Sequence, residues 1–295
     1  MNNKVKALFV GLNTIDLQFF VQGYPMANTK TKASKNEITA GGPATNAAIA
    51  CSHLGAETHL VTPIGAHSLS RFVADDIINY GVKLIDPIEN IDSKPVFASV
   101  ITNELNGERT IFSYHPEHEH KLIMEELNLG KLSNFNIAMF DGFYPELSIN
   151  IAKELRKNGV TTVLDGGSWK PGIEELLPLI DIAICSNDFT PPGRISKKSV
   201  VDVLNNYSID KIAITRGEKS ILAYTTNMRF ELQIPKVEAK DTLGAGDFFH
   251  GAFCYYYAVN NDFELALKAA STIASKSCCY CGTREWMNVN DDIVK

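Results

Sequence analysis

Short apolar runs alternate along the chain with stretches whose apolar positions recur at helical spacing. The strand-like runs are Ala7–Gly11, His59–Ile64, Ile137–Phe140, Thr161–Leu164, Ile182–Cys185 and Ile212–Thr215. They read as continuous apolar segments, as strands do when both faces of a parallel sheet are covered. Between them, Ser148–Lys157 sets Ile151 and Leu155 four residues apart, and Gly159 supplies a C-terminal stop. The alternation predicts repeated βαβ units, hence an α/β fold: a doubly wound, mostly parallel central sheet flanked by helices.

Two regions break the pattern. Residues of about 13–35 and 95–114 are strand-prone and hairpin-like, with Asn106-Gly107 as a turn between Phe97–Thr102 and Arg109–Tyr114. They predict a small sheet outside the main layer. A further hairpin, Ile221–Thr225 with Phe230–Ile234 around Thr226-Asn227, predicts antiparallel strands at the main sheet's edge. There is no internal repeat, low-complexity tract or linker, so residues 1–295 read as one domain with a small β-lid.

Composition narrows the function. The chain has 295 residues, 45% hydrophobic and 21% charged, enough for a full core. A net charge of -6 with scattered Lys and Arg argues against nucleic acid as a partner. The apolar run from Ala7 is interrupted by Asn13 and Asp16 before a secretion signal or membrane span could form. The six cysteines do not form a secreted disulfide pattern, so reduced thiols and a cytoplasmic location are expected. Cys278-Cys279-Tyr280-Cys281 has no second ligand pair at zinc spacing and reads as packing. His115, His118 and His120, interleaved with glutamates beside Pro116, read as a solvated loop.

The most informative segment is Asp241-Thr242-Leu243-Gly244-Ala245-Gly246-Asp247, leading into a long apolar helix. Gly244, Ala245 and Gly246 let backbone amides approach an anion closely, at the positive end of the helix dipole. That is a phosphate cradle. Asp247 directly behind it is either a base for an attacking hydroxyl or an N-terminal helix cap. Upstream, Gly41-Gly42-Pro43-Ala44-Thr45-Asn46 opens an alanine-rich helix that ends near Gly55. The spacing of Gly42 and Asn46 places them on one helix face, with the Asn amide suited to a polyhydroxyl ligand. A purely local helix start explains that segment equally well.

Both motifs, in this order and about 200 residues apart, resemble the signatures of the ribokinase-like carbohydrate kinases, the PfkB family. The resemblance implies ATP-dependent transfer of the γ-phosphate to a hydroxyl of a small sugar-like substrate. It implies that Asp247 is the base and that Gly244, Ala245 and Gly246 form the anion hole. Asp16, Gly42 and Asn46 would hold substrate hydroxyls, with Gly41 and Asn13 beside them. Thr215 and Gly217 lie in a segment similar to the family's nucleotide-binding Thr-x-Gly-Glu-x-Gly, although Ser220 replaces its last glycine. Asn187 begins a segment similar to the family's Asn-x-x-Glu, which organises magnesium; here Thr190 stands at the glutamate position, so the magnesium ligands are open, with Asp188 as a substitute. The resemblance also implies a potassium-type monovalent cation at Asp241 and pairing of two copies through the lid.

Two weaker signals accompany these. Asp165-Gly166-Gly167-Ser168-Trp169-Lys170-Pro171-Gly172, after a strand, could contact substrate or phosphate or form a strand-to-helix turn, and Arg109 could meet an anionic group or sit on an exposed strand edge. A nicotinamide oxidoreductase is disfavoured because no Gly-x-Gly-x-x-Gly follows the first strand, and a P-loop kinase because there is no Walker segment. A nucleoside kinase of the same fold and a catalytically silent sugar-binding module are the alternatives. A mere binder has no use for a carboxylate aimed at a phosphate.

Overall fold

A computed structural model describes residues 4–115, 134–193 and 197–289; His118 and His120 lie outside them. The strands are β1 (Lys6–Val10), β2 (Thr14–Val21), β3 (Lys35–Gly41), β4 (Glu57–Val61), β5 (Lys83–Ile85), β6 (Phe97–Asn103), β7 (Arg109–Tyr114), β8 (Ile137–Phe140), β9 (Thr161–Gly166), β10 (Ile182–Cys185), β11 (Lys211–Arg216), β12 (Lys219–Tyr224) and β13 (Arg229–Leu232). The helices are α1 (Pro43–His53), α2 (Ser70–Asn79), α3 (Pro145–Lys157), α4 (Ile173–Leu176), α5 (Lys197–Asn206), α6 (Ala245–Asn260) and α7 (Phe263–Cys278).

Nine strands form the main sheet in the order β13-β12-β11-β10-β9-β8-β1-β4-β5. The run from β11 to β5 is parallel, and the expected hairpin β12–β13 closes one edge antiparallel. Residues along β1 point alternately to two cores. Ala7 and Phe9 face α1, α2, α6 and α7, whereas Leu8 and Val10 face α3, α4 and α5. Both faces are therefore covered, which is why these strands carry no polar alternation.

The strand-prone regions form a separate four-stranded sheet, β3-β2-β6-β7. It recruits Lys35–Gly41 as β3, beyond the segments expected from the pattern. In this sheet Asp16, Gln18, Thr102 and Arg109 share one face by register, and Leu17, Phe19, Ile38, Ile101, Phe112 and Tyr114 share the other. The polar face looks inward: Gln18 reaches Asp241. The apolar one looks out, with Phe112 and Tyr114 66% and 67% exposed.

Strand order reverses around β1, which lies between β8 and β4. In doubly wound sheets the crevice beyond the carboxyl ends of strands at such a switch point receives ligands. The chain there presents Asn13 after β1, Asp141 after β8, Asp165 near the end of β9, Asn187 after β10 and Thr215 in β11.

Candidate active site

The two motifs meet because α1 and α6 pack closely. A Cβ at Gly251 would stand 2.2 Å from the Ala47 carbonyl oxygen, so only glycine permits this approach. Consequently Asn46 Nδ2 donates to Asp247 Oδ2 at 2.8 Å across 201 residues of sequence.

Gly244, at φ +74°, is the N-cap of α6, so Asp247 sits inside the first turn and is not the cap. The Gly244 conformation favours glycine, and a Cβ there would also strike the Phe248 ring at 2.8 Å. Gly246 opens onto free space, with nothing within 4 Å of where its Cβ would lie. Among the described residues, the backbone N–H groups of Gly246 and Asp247 have no hydrogen-bond acceptor. This is the electropositive start of a 16-residue helix, with open space beside Gly246. Burial raises the Asp247 carboxyl from 3.8 to about 7, and the charge of Asp165 adds to the rise; the Asn46 hydrogen bond, His250 and Arg109 oppose it.

On the opposite wall, Asp16 is buried, and burial raises its carboxyl above 3.8 against the Thr14 hydrogen bond and the Arg284 charge. Gly41 has no side chain because the Asp16 carboxylate lies over it, 2.0 Å from where a Cβ would be. Gly42 precedes the helix at φ +96°, and its Cβ would meet the Leu12 carbonyl oxygen at 2.4 Å. It shares no helix face with Asn46; its contribution is close backbone approach to the β1–β2 connection. Asn13 Nδ2 is engaged with Thr62 Oγ1 at 2.8 Å and the Pro63 carbonyl at 2.6 Å, which ties that amide to the β4 end.

Asn187 and Asp188 are exposed after β10, and Thr215 donates to the Cys185 carbonyl from β11. Gly217 takes φ +63° in the β11–β12 turn. Ser220 bonds Arg216 and Glu231, a side-chain link the family's glycine cannot make. Gly166 allows close strand packing, with its Cβ position 2.6 Å from Cys185 Sγ, while Asp165 Oδ1 lies 3.5 Å from His250 Nε2. Arg109 donates to Thr242 Oγ1, bringing a lid cation to the cradle's approach.

Asp241 is held by N–H donors from three segments. Its Oδ2 accepts from Gln18 Nε2 at 2.6 Å and Gly282 N at 3.0 Å, and its Oδ1 accepts from Leu243 N at 2.9 Å. Most of the carboxylate's acceptor positions thus face N–H donors. Among the described residues no three His, Cys, Asp or Glu side chains converge on a metal position. The cysteines of 278–281 are free thiols, and the Cys278 carbonyl instead accepts from Lys240 N and Asp241 N.

Three residues of this site carried no readable sequence signal. Asp141 is fully buried: its Oδ2 accepts from Leu12 N at 2.7 Å and Ala44 N at 3.3 Å, and its Oδ1 from Phe143 N at 3.0 Å. Gln18 is the lid's link to Asp241. Arg284, also buried, donates to Asn46 Oδ1.

A model described as pfkB family carbohydrate kinase matches residues 4–289. Deoxyribokinase of Salmonella typhi is 25% identical over 294 residues, covering 93% of each chain. Ribokinase of Staphylococcus aureus is 26% identical over 264 residues, 86% of each. The solved structure of Arabidopsis thaliana ribokinase complexed with ribose and ATP has the same fold, with TM-score 0.75 at 21% identity, over 98% of this chain and 100% of that one.

Proposed function

The chain belongs to the pfkB family of carbohydrate kinases, and from that premise we propose that it moves the γ-phosphate of ATP onto a hydroxyl of a small free sugar, with Asp247 as base. The observation that carries this reading is the half-buried Asp247 carboxylate in the first turn of α6, beside two unpartnered backbone N–H groups. A carboxyl raised to about 7 holds a proton loosely enough to exchange it near neutrality, where general-base assistance is most effective. In the reaction, the sugar O–H proton passes to Asp247 Oδ1, and the oxygen forms a bond to the γ-phosphorus. The bond to the β-phosphate oxygen breaks and ADP leaves. The N–H groups of Gly246 and Asp247 stabilise charge on the migrating phosphoryl group.

Asp16 and Asn46 hold the sugar from the lid and α1, with the backbone at Gly41 and Gly42 forming the floor and Asn13 bracing it. Asn187, Thr215 and Gly217 line the nucleotide side. Asn187 and Asp188, the oxygen-bearing side chains exposed there, would hold a magnesium ion or its waters, and such an ion would neutralise charge on the nucleotide phosphates. No step is assigned to a monovalent cation at Asp241. Relatives that are named for ribose and deoxyribose support a pentose-like acceptor. A lid whose outward face is apolar supports a homodimer joined there, and a dimer mass by light scattering checks it, whereas a monomer across micromolar concentrations removes it.

The test is ATP consumption over a panel of sugars, sugar acids and nucleosides. One sugar class should give turnover, and Asp247→Asn should lower kcat by about 10²-fold or more while ligand binding survives. Equal turnover by both proteins rejects the base.

A further inference from the structure

The turn after α7 delivers Arg284 into the interior beneath the site, 7% exposed. Its guanidinium spans two walls. Nη1 donates to Asn46 Oδ1 at 3.0 Å, and Nη2 donates to the Ala40 carbonyl at 2.6 Å. The group lies over the Tyr80 ring at 5.2 Å, and Nη2 is 4.0 Å from Asp76 Oδ2, which itself accepts from Ala40 N. Its Nε has no partner among the described residues. Burial of a guanidinium with one donor unpaired is unfavourable, so a residue of this kind persists for what it positions.

An asparagine amide has an acceptor end and a donor end, and a swap of the two would turn Oδ1 toward the Asp247 carboxylate. Arginine can only donate. We propose that Arg284 is a positioning residue for phosphoryl transfer: by donating to Asn46 Oδ1 it fixes that amide so that Nδ2 grips Asp247 Oδ2, which leaves Oδ1 to take the substrate proton. The same guanidinium holds Ala40, the residue before Gly41, so the floor under Asp16 and the base are set by one side chain. The inference rests on the reading of Asp247 as base.

Around Asp247 stand Asp165 from β9, Asn46 from α1, His250 from α6 and Arg109 from β7, with Arg284 behind Asn46. Without Arg284 the amide can reverse, and a buried cation that favours ionised Asp247 is gone. Both changes push the base toward its protonated form.

Arg284→Met keeps the length of the side chain and removes its donors. At saturating ATP and sugar, kcat should fall about 10-fold, and the acid limb of kcat/KM should move to higher pH by about one unit, with KM for ATP unchanged. Arg284→Lys, one compact donor head, should restore part of kcat and return the limb toward wild type. Should the Met variant fail to fold, the Lys variant carries the test through a several-fold loss of kcat. Folded variants with wild-type kcat and an unmoved acid limb overturn the proposal. Asp247→Asn is assayed alongside: if it retains turnover the base reading fails, whereas if it alone is inactive only the role of Arg284 falls.

Discussion

Two helices in this protein begin alike and are used differently. Both α1 and α6 start behind a glycine with positive φ, Gly42 and Gly244, and neither has a side-chain cap. At α1 the first position is Pro43, which has no N–H, and the next amide, Ala44, is given to the buried carboxylate of Asp141. The positive end of that helix already has its anion. At α6 the amides of Gly246 and Asp247 are unspent among the described residues, and no carboxylate accepts from them; the helix carries its own carboxylate, Asp247, in that first turn. An N-terminus neutralised from within the fold is scaffolding; one whose amides are left open is equipment for a ligand that arrives charged.

Replacing each carboxylate by its amide is the sharpest way to break this comparison. Asp247→Asn, with its loss of kcat of about 10²-fold or more, should leave thermal stability intact or improved. The sign follows from the direction of the shift. A carboxyl raised from 3.8 to about 7 disfavours ionisation in the folded state, so its contribution to stability is best below 3.8 and is lost as pH rises toward 7. Asparagine cannot ionise. The melting temperature of the variant relative to wild type should therefore climb between pH 4 and 7 and level off above. A variant that is less stable than wild type at pH 8 would mean that Asp247 is a structural anchor after all.

Asp141→Asn should do the reverse. Three N–H groups, of Leu12, Ala44 and Phe143, converge on this carboxylate, and an amide presents one acceptor and one donor to them. At least one buried N–H is then orphaned, at a cost of about 1–3 kcal/mol. Relief of a buried charge works against this, since burial raises Asp141 to about 6. Denaturant unfolding at pH 7 should show the net loss, with kcat within a few-fold of wild type. Equal or greater stability would dissolve the contrast between the two helix starts.

How far the sequence revealed this arrangement follows from the same contrast. Parallel strands buried on both faces announce themselves as apolar runs, and Ile137–Phe140 and Ile182–Cys185 are found where the pattern puts them. Glycines that admit an anion or a close helix also leave a trace, which is why Gly244–Asp247 and Gly41–Asn46 stood out. Asp141, Gln18 and Arg284 left none. Each is a single polar residue whose partners are contributed by segments far away in sequence, Leu12 for Asp141, Asp241 for Gln18 and Asn46 for Arg284. No periodicity encodes such a pairing. β3 was missed for a related reason: Lys35–Gly41 is mostly exposed and polar along its outer half, and it is a strand because β2 pairs with it.

The smallest expected effect separates the two arginines that bear on Asp247. Arg109 lies on the exposed strand β7 and acts on the carboxyl through its charge, while Arg284 acts from the interior through Asn46. Arg109→Gln removes a cation that favours ionised Asp247, so the acid limb of kcat/KM should move upward, by about a few tenths of a pH unit, because solvent screens an exposed charge. Raising the salt to 1 M shortens the screening length to about 3 Å, and the difference between Arg109→Gln and wild type should vanish. The shift caused by Arg284→Met should survive the same salt, since ions do not enter the space between Arg284 and Asn46. If the Arg109→Gln shift persists at high salt, the lid arginine touches the reacting groups directly, and the open start of α6 is completed by a side chain from the lid as well as by its own amides.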